Sequence, residues 1–221
     1  MKLKLTAFIA MATILLISCS SKKTATIPAL DEIVAIVQHP VSNYDNWKPF
    51  FDGDDSSRKA YGLTTIGIGR GIDDPNQVIL YFRVTDTAKA SQFMDRPELK
   101  DVMQKAGVTA PPTIDIVHSV RNDTSKTDIQ DRLLVKHKVK DFDAWLKVFD
   151  NEGMETRKEN GMIDRALARG TLDPNMVYIL FAISDWTKAD ARFQSDDMKK
   201  IMQDAGVEGT PTVVKYKFQY Q

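Results

Sequence analysis

Residues 135–145 read VKHKVKDFDAW, and residues 37–47 read VQHPVSNYDNW. Both stretches carry the same three signals in the same order. The first is alternation: Leu133, Val135, His137 and Val139 fall on one face of an extended chain, with Leu134, Lys136 and Lys138 on the other, which predicts a β-strand. Its counterpart in the first copy lies near 33–41. Next, Asn43 and Asp141 occupy equivalent helix N-cap positions. Last, Tyr44, Trp47 and Phe51, or Phe142, Trp145 and Phe149, recur at spacings of three and four and mark one buried helical face. Pro49 falls inside the first helix and removes a backbone donor. That helix should be shorter or kinked, and the second copy better formed.

The repetition runs through both halves. Arg58-Lys59 aligns with Arg157-Lys158, Gly62 with Gly161, Arg70-Gly71 with Arg169-Gly170, and Asp74-Pro75-Asn76 with Asp173-Pro174-Asn175. Residues 98–113 and 197–212 are identical at half of their positions, and the register shifts by one residue near Gly153. The units are therefore 32–120 and 132–221, joined by a polar, unpatterned linker at 121–131. In each unit a hairpin is expected at 62–70 and 77–84, or 161–169 and 176–183, with Asp-Pro-Asn as the turn. The runs Val78 to Phe82 and Val177 to Phe181 are apolar without a break, so both faces of that strand must be covered. A helical region at 86–105 or 185–204, broken near Pro97, ends at Gly107 or Gly206. A final strand follows Pro112 or Pro211.

The order is strand, helix, strand, strand, helix, strand. Two helices cover one face of the resulting antiparallel sheet. The sheet of the other unit covers the second face, giving an α+β, barrel-like intrachain pseudo-dimer. This pattern resembles the dimeric α/β-barrel (ferredoxin-like) superfamily, close to its antibiotic-biosynthesis-monooxygenase-like members. The resemblance rests on His-x-Val-x-Asp-Phe/Tyr-Asp-x-Trp, the following Arg, Gly and Arg, Asp-Pro-Asn and the Ala-Gly-Val tail. It covers nearly all of both units and implies a fold more than a reaction.

The N-terminus carries a different message. Lys2 and Lys4 precede an apolar stretch, Leu5 to Ile17, interrupted only by Thr6 and Thr13. A membrane span needs about 20 apolar residues, so this is a basic n-region followed by the h-region of an export signal. It ends in Leu16-Ile17-Ser18-Cys19, a lipoprotein signal-peptidase pattern. Residues 1–18 are read as a cleaved signal, Cys19 as the lipid-bearing terminus and 19–31 as a tether; the alternative is an ordinary signal with an incidental cysteine. Cys19 is the chain's single cysteine, so a body without disulfides must be held by its own core. Ser20 and Ser21 resemble the sorting residues of Gram-negative lipoproteins bound for the outer membrane, facing the periplasm. Loss of Lys2 and Lys4 with the signal leaves 28 basic and 30 acidic residues. That balance supplies no field for nucleic acid.

Candidate pocket residues come in pairs. His39 and His137 lie on the more apolar strand face. If that face lined the barrel, they could serve as proton acceptors or haem ligands; a histidine satisfied within the core is the commoner case. Trp47 and Trp145 could stack on an aromatic ligand or simply fill the core. Arg70 and Arg169 could grip an anion or stand as solvated hairpin charges. Arg58, Lys59, Arg157 and Lys158 are read as helix C-terminal cations. Gly67 to Gly71 sits in a strand and is no phosphate loop. No metal site is expected, with His118 the third and last histidine and no ligand cluster. No nucleophile–base–acid triad is visible and no cofactor is required.

Three functions are compatible with these residues. The first is a lipid-anchored module that binds a small hydrophobic or aromatic ligand or a partner. The resemblance also allows a cofactor-independent monooxygenase acting on an aromatic substrate, and haem binding or degradation. Pro40 beside His39, against Lys138 beside His137, points to the second unit as the active copy. Cys19→Ala is expected to abolish palmitate labelling in cells and to accumulate the uncleaved precursor; a labelled, processed product would overturn the lipoprotein reading.

Overall fold

A computed structural model describes residues 32–220, so the signal, Cys19 and the tether lie outside the described residues. The first repeat comprises β1 (Ile33–Pro40), α1 (Tyr44–Gly53), α2 (Asp55–Ala60), β2 (Leu63–Gly71), β3 (Gln77–Val84), α3 (Thr87–Met94), α4 (Pro97–Lys105) and β4 (Thr113–Asn122). The second comprises β5 (Asp131–Val139), α5 (Phe142–Glu152), α6 (Met154–Glu159), β6 (Met162–Gly170), β7 (Met176–Ile183), α7 (Trp186–Gln194), α8 (Asp196–Asp204) and β8 (Val207–Tyr220). Among the described residues no helix is long and apolar enough to cross a membrane.

Local chemistry sets the helix starts. The Asn43 side chain accepts the Asn46 N–H at 2.9 Å, and Asp141 accepts that of Ala144 at 2.7 Å. The asparagine of each Asp-Pro-Asn turn adds a second anchor: Asn76 Oδ1 accepts the Tyr44 N–H at 3.0 Å and Asn175 Oδ1 the Phe142 N–H at 3.1 Å. Helix α1 continues through Pro49 and is one residue shorter than α5. The expected break at Pro97 separates α3 from α4. The second repeat breaks at the same place without a proline, because Ser195 turns its hydroxyl to the Met198 N–H at 3.1 Å and caps α8.

All eight strands form one closed antiparallel barrel in the order β1-β3-β2-β8-β5-β7-β6-β4. Each repeat contributes a four-stranded sheet, and two seams, β2·β8 and β4·β6, join the repeats edge to edge. Two details differ from expectation. Strand β4 extends through Arg121 and Asn122, placed above in the linker, because they pair with Leu167 and Ala166. Strand β8 begins before Pro211, because Val207 and Glu208 pair with Val139 and Lys138 across an irregularity in register.

The barrel interior is filled by side chains, as eight strands allow. Ile36, Ile79, Tyr81, Val117, Leu134 and Tyr216 meet there among others. Its polar groups are paired, as sealed groups must be. The hydroxyls of Tyr81 and Tyr216 share a hydrogen bond of 2.5 Å. Asp115 accepts from Lys136 at 2.5 Å and from Tyr178 at 2.9 Å.

The β2·β8 seam explains the glycines of β2. A Cβ at Gly69 would stand 2.3 Å from the Tyr216 ring, and one at Gly67 2.3 Å from that of Phe218. Bare backbone on β2 is what leaves room for the two β8 rings at the seam. Gly69→Ala is therefore expected to lower stability by about 1–3 kcal/mol, read as a fall in urea midpoint at constant slope. An unchanged midpoint would contradict this packing.

Candidate functional site

The strand face bearing His39 and His137 looks outward to the helices, not into the barrel. Each repeat builds its own core there: Ala35, Val37, Trp47, Phe51 and Phe82 in the first, Leu133, Val135, Trp145, Ile179 and Phe181 in the second. The imidazoles therefore do not reach the barrel interior. The aromatic stripe on α1 or α5 demands the more apolar face of its sheet, and that face carries the histidine. His39 stands edge-on to Trp47 at 5.6 Å between ring centroids, and His137 to Trp145 at 5.5 Å. Trp47 stacks in turn on Phe51 at 4.9 Å, and Trp145 on Phe149 at 5.1 Å.

Arg70 and Arg169 belong to neither core. Arg70 lies 3.9 Å over the Tyr44 ring and donates to the Pro75 carbonyl at 3.2 Å. Arg169 lies 4.2 Å over Phe142 and donates to the Pro174 carbonyl at 3.0 Å. These arginines clamp the hairpin turn to the helix start. The pairing of Arg-Gly with Asp-Pro-Asn in the sequence is thus a structural corner, in which Nε of each arginine is engaged by the turn.

The space available to a ligand lies between sheet and helices, and it is unequal in the two repeats. The first repeat holds a cavity of about 310 Å³, lined by His39, Trp47, Phe82, Phe93, Leu99 and Arg58 among others. The equivalent space in the second is about 60 Å³. Substitutions between the copies account for the difference. Where the first has Leu63, Met94, Leu99 and Val102, the second has Met162, Phe193, Met198 and Ile201, and all four of these reach into the smaller space. Phe50 and Ile114 line the larger cavity yet are 44% and 41% exposed, so they mark its mouth. The second unit, expected above to be the active copy, holds the smaller space: its helical layer is the better packed one, and better packing is what closes that space.

Arg58, Lys59, Arg157 and Lys158 lie in the last turns of α2 and α6, as expected of helix C-terminal cations. Lys59 and Lys158 are exposed there, but both arginines are buried. Arg58 lies 3.8 Å over the Phe51 ring and donates to the Phe51 carbonyl at 2.6 Å. Arg157 lies 3.7 Å over Phe149 and donates to its carbonyl at 2.7 Å. No local signal separates these arginines from the lysines beside them, because the same aromatic residue precedes both.

Burial holds both imidazoles neutral. It lowers His39 from its ordinary value, partly offset by the Pro40 backbone, and pushes His137 down to about 4. Neither nitrogen of His137 finds a hydrogen-bond partner among the described residues. As pH falls, the unfolded chain takes up this proton before the folded one does. The stabilisation from a neutral His137 is therefore complete above about pH 6.5 and is lost as pH falls toward about 4. Between about pH 7.5 and about pH 5 the loss from His137 should be roughly 2 kcal/mol in urea titrations, and His137→Leu should remove that part of the slope. An identical pH profile in the variant would overturn this assignment.

The sequence matches no protein-family model and no curated protein. Solved structures do resemble it. An anthrone oxidase-like protein superposes with a TM-score of 0.59 at 11% identity, covering 88% of this chain and 95% of the other. A protein assigned as a monooxygenase from Lactobacillus acidophilus NCFM gives 0.56 at 15% identity, covering 86% and 94%. A ferredoxin-fold protein related to antibiotic biosynthesis monooxygenases, from Listeria monocytogenes 4b F2365, gives 0.50 at 8% identity, covering 87% and 97%. At such identities the likeness concerns architecture. The chain has the dimeric α/β-barrel fold of the antibiotic-biosynthesis-monooxygenase-like proteins, built from two ferredoxin-like repeats in one polypeptide.

Proposed function

We propose that the first repeat binds a small apolar or aromatic molecule between its sheet and its helices. The second repeat serves as the scaffold that closes the barrel. The observation that carries this reading is the asymmetry of two otherwise matching cores, about 310 Å³ against about 60 Å³. A void of the larger size leaves its apolar lining without contacts and costs stability. Retaining it in one copy, when the other shows how to fill it, is the mark of a cavity kept for an occupant. Its walls are aliphatic and aromatic with few polar groups, as small-molecule sites are. We also propose that Cys19 carries a lipid and the tether holds this body at the outer membrane, on the sequence pattern described above.

A second reading is favoured by the place of His39. A neutral imidazole on the wall of an apolar cavity is suited to accept a proton from a phenol or an activated carbon of an aromatic substrate. The electron-rich anion so formed is the species that reacts directly with oxygen in cofactor-independent oxygenation. The anthrone oxidase-like and monooxygenase-assigned neighbours make an anthrone the first substrate to try.

Haem fits these residues poorly. A metal-bound histidine turns one nitrogen to the metal and donates the other to a fixed acceptor. Both nitrogens of His137 are sealed without partners, and Nδ1 of His39 makes no hydrogen bond among the described residues.

The binding reading is tested by grafting the second core onto the first. Wild type should bind the neutral fluorescent probe N-phenyl-1-naphthylamine saturably. The quadruple variant Leu63→Met, Met94→Phe, Leu99→Met, Val102→Ile should lose that binding while keeping or raising the thermal midpoint. Equal binding by a folded quadruple variant would place the probe elsewhere and overturn the reading. Oxygen uptake with an anthrone, abolished in His39→Gln, would support the second reading, and no uptake by wild type would remove it.

A further inference from the structure

The two buried arginines sit alike on their phenylalanines but differ in what meets the rest of the guanidinium. In the second repeat, Arg157 Nε and Nη2 donate to the two oxygens of Asp164 at 2.8 and 2.6 Å, and its Nη1 stands 3.4 Å from Glu152. This is the bidentate geometry that arginine makes with carboxylates. Asp164 sits on β6 opposite Phe181, just before a shift in register. The same position on β2, opposite Phe82 and just before the equivalent shift, is Thr65. The first repeat has thus lost the carboxylate and kept the arginine.

The consequence is visible in the first core. Arg58 is 4% exposed, and its Nε has no hydrogen-bond partner among the described residues; nor does the buried hydroxyl of Thr65. Among the described residues the guanidinium has one ion pair, Nη2 to the Asp55 carboxylate at 3.6 Å, with Asp54 and Asp52 also acting on it electrostatically, and Asp55 is held more closely by Lys59 at 2.7 Å. Asp54, on the cavity wall where the second repeat has Glu152, stands 3.7 Å from Arg96. A buried cation with an unused donor is costly, and Arg58 lines the larger cavity.

We propose that the occupant of this cavity is an apolar molecule bearing one carboxylate, which Arg58 holds as Arg157 holds Asp164 in the second repeat. The apolar body lies against Trp47, Phe82 and Leu99, and the carboxylate meets Nε and Nη2 of the guanidinium. This rests on the cavity reading above and adds the class of ligand. The two copies then represent one site with its anion built in and one with its anion supplied from outside.

The test displaces bound N-phenyl-1-naphthylamine with 2-naphthoate or with its neutral isostere 2-naphthylmethanol. Wild type should prefer the carboxylate by about tenfold or more, the scale of a charge-assisted bidentate contact. Thr65→Asp restores the internal carboxylate; it should weaken 2-naphthoate by about tenfold or more and leave the alcohol unchanged. Arg58→Met should abolish the preference if that variant folds. Equal affinity of the two ligands in wild type, with the dye bound, would overturn this proposal and leave the cavity reading standing. Unchanged 2-naphthoate affinity in Thr65→Asp would overturn it equally. Failure of wild type to bind the dye or either ligand would overturn both.

Discussion

Each four-stranded repeat presents two strands with an unpaired edge, and hydrogen bonding along those edges is the constraint on which the rest of the molecule depends. An open edge is a row of unsatisfied N–H and C=O groups. Here β2 finds β8 and β4 finds β6, so among the described strands the barrel has no open edge. Joining the repeats in one chain makes this closure intramolecular, so it no longer depends on a second molecule. Closure in turn seals the interior. Every polar group placed there has to be paired, which is the physical reason for the tyrosine pair Tyr81 and Tyr216 and for the grouping of Asp115 with Lys136 and Tyr178. It also brings β8 rings against β2, which only glycine backbone at Gly67 and Gly69 can receive.

The barrel interior is packed with side chains, and the two cavities described lie in the layers between sheet and helices. Those layers are separate in the two repeats. Each can therefore change without disturbing the closure that both share. The second layer is filled with longer side chains and locked by a buried ion pair. Such a pair costs several kcal/mol if one partner is removed. The first layer keeps the same arginine, tryptophan and histidine around open space. Duplication has left one layer closed and the other open.

Much of this architecture was legible in the amino acids and much of the site was not. Alternation at Leu133 to Val139, caps at Asn43 and Asp141 and the unbroken apolar third strands are local patterns with local causes, and they gave the elements, the repeat and the need for a second covering layer. The candidate residues were legible only as types. His39 and Trp47 do meet at the cavity, while His137 and Trp145 meet where little space remains. Arg70 and Arg169 belong to a corner that the sequence displayed as a motif without disclosing its purpose. Arg58 was overlooked because a cation at a helix end has an ordinary explanation, and nothing local distinguishes a solvated guanidinium from one folded back over Phe51.

The linear sequence by itself determined what depends on neighbours along the chain: strand and helix periods, turn and cap chemistry, the duplication, and a single cysteine set behind an apolar stretch. Only the tertiary structure decided which side of each strand faces the barrel, which repeat keeps its cavity, and which arginine retains an unused donor. Those outcomes are set by differences of side-chain volume and shape between residues far apart in the chain, such as Val102 against Ile201 and Met94 against Phe193, and by the presence of Asp164 where the other copy has Thr65. Volume and charge balance are properties of a packed layer, and they take values only when the elements have been brought together.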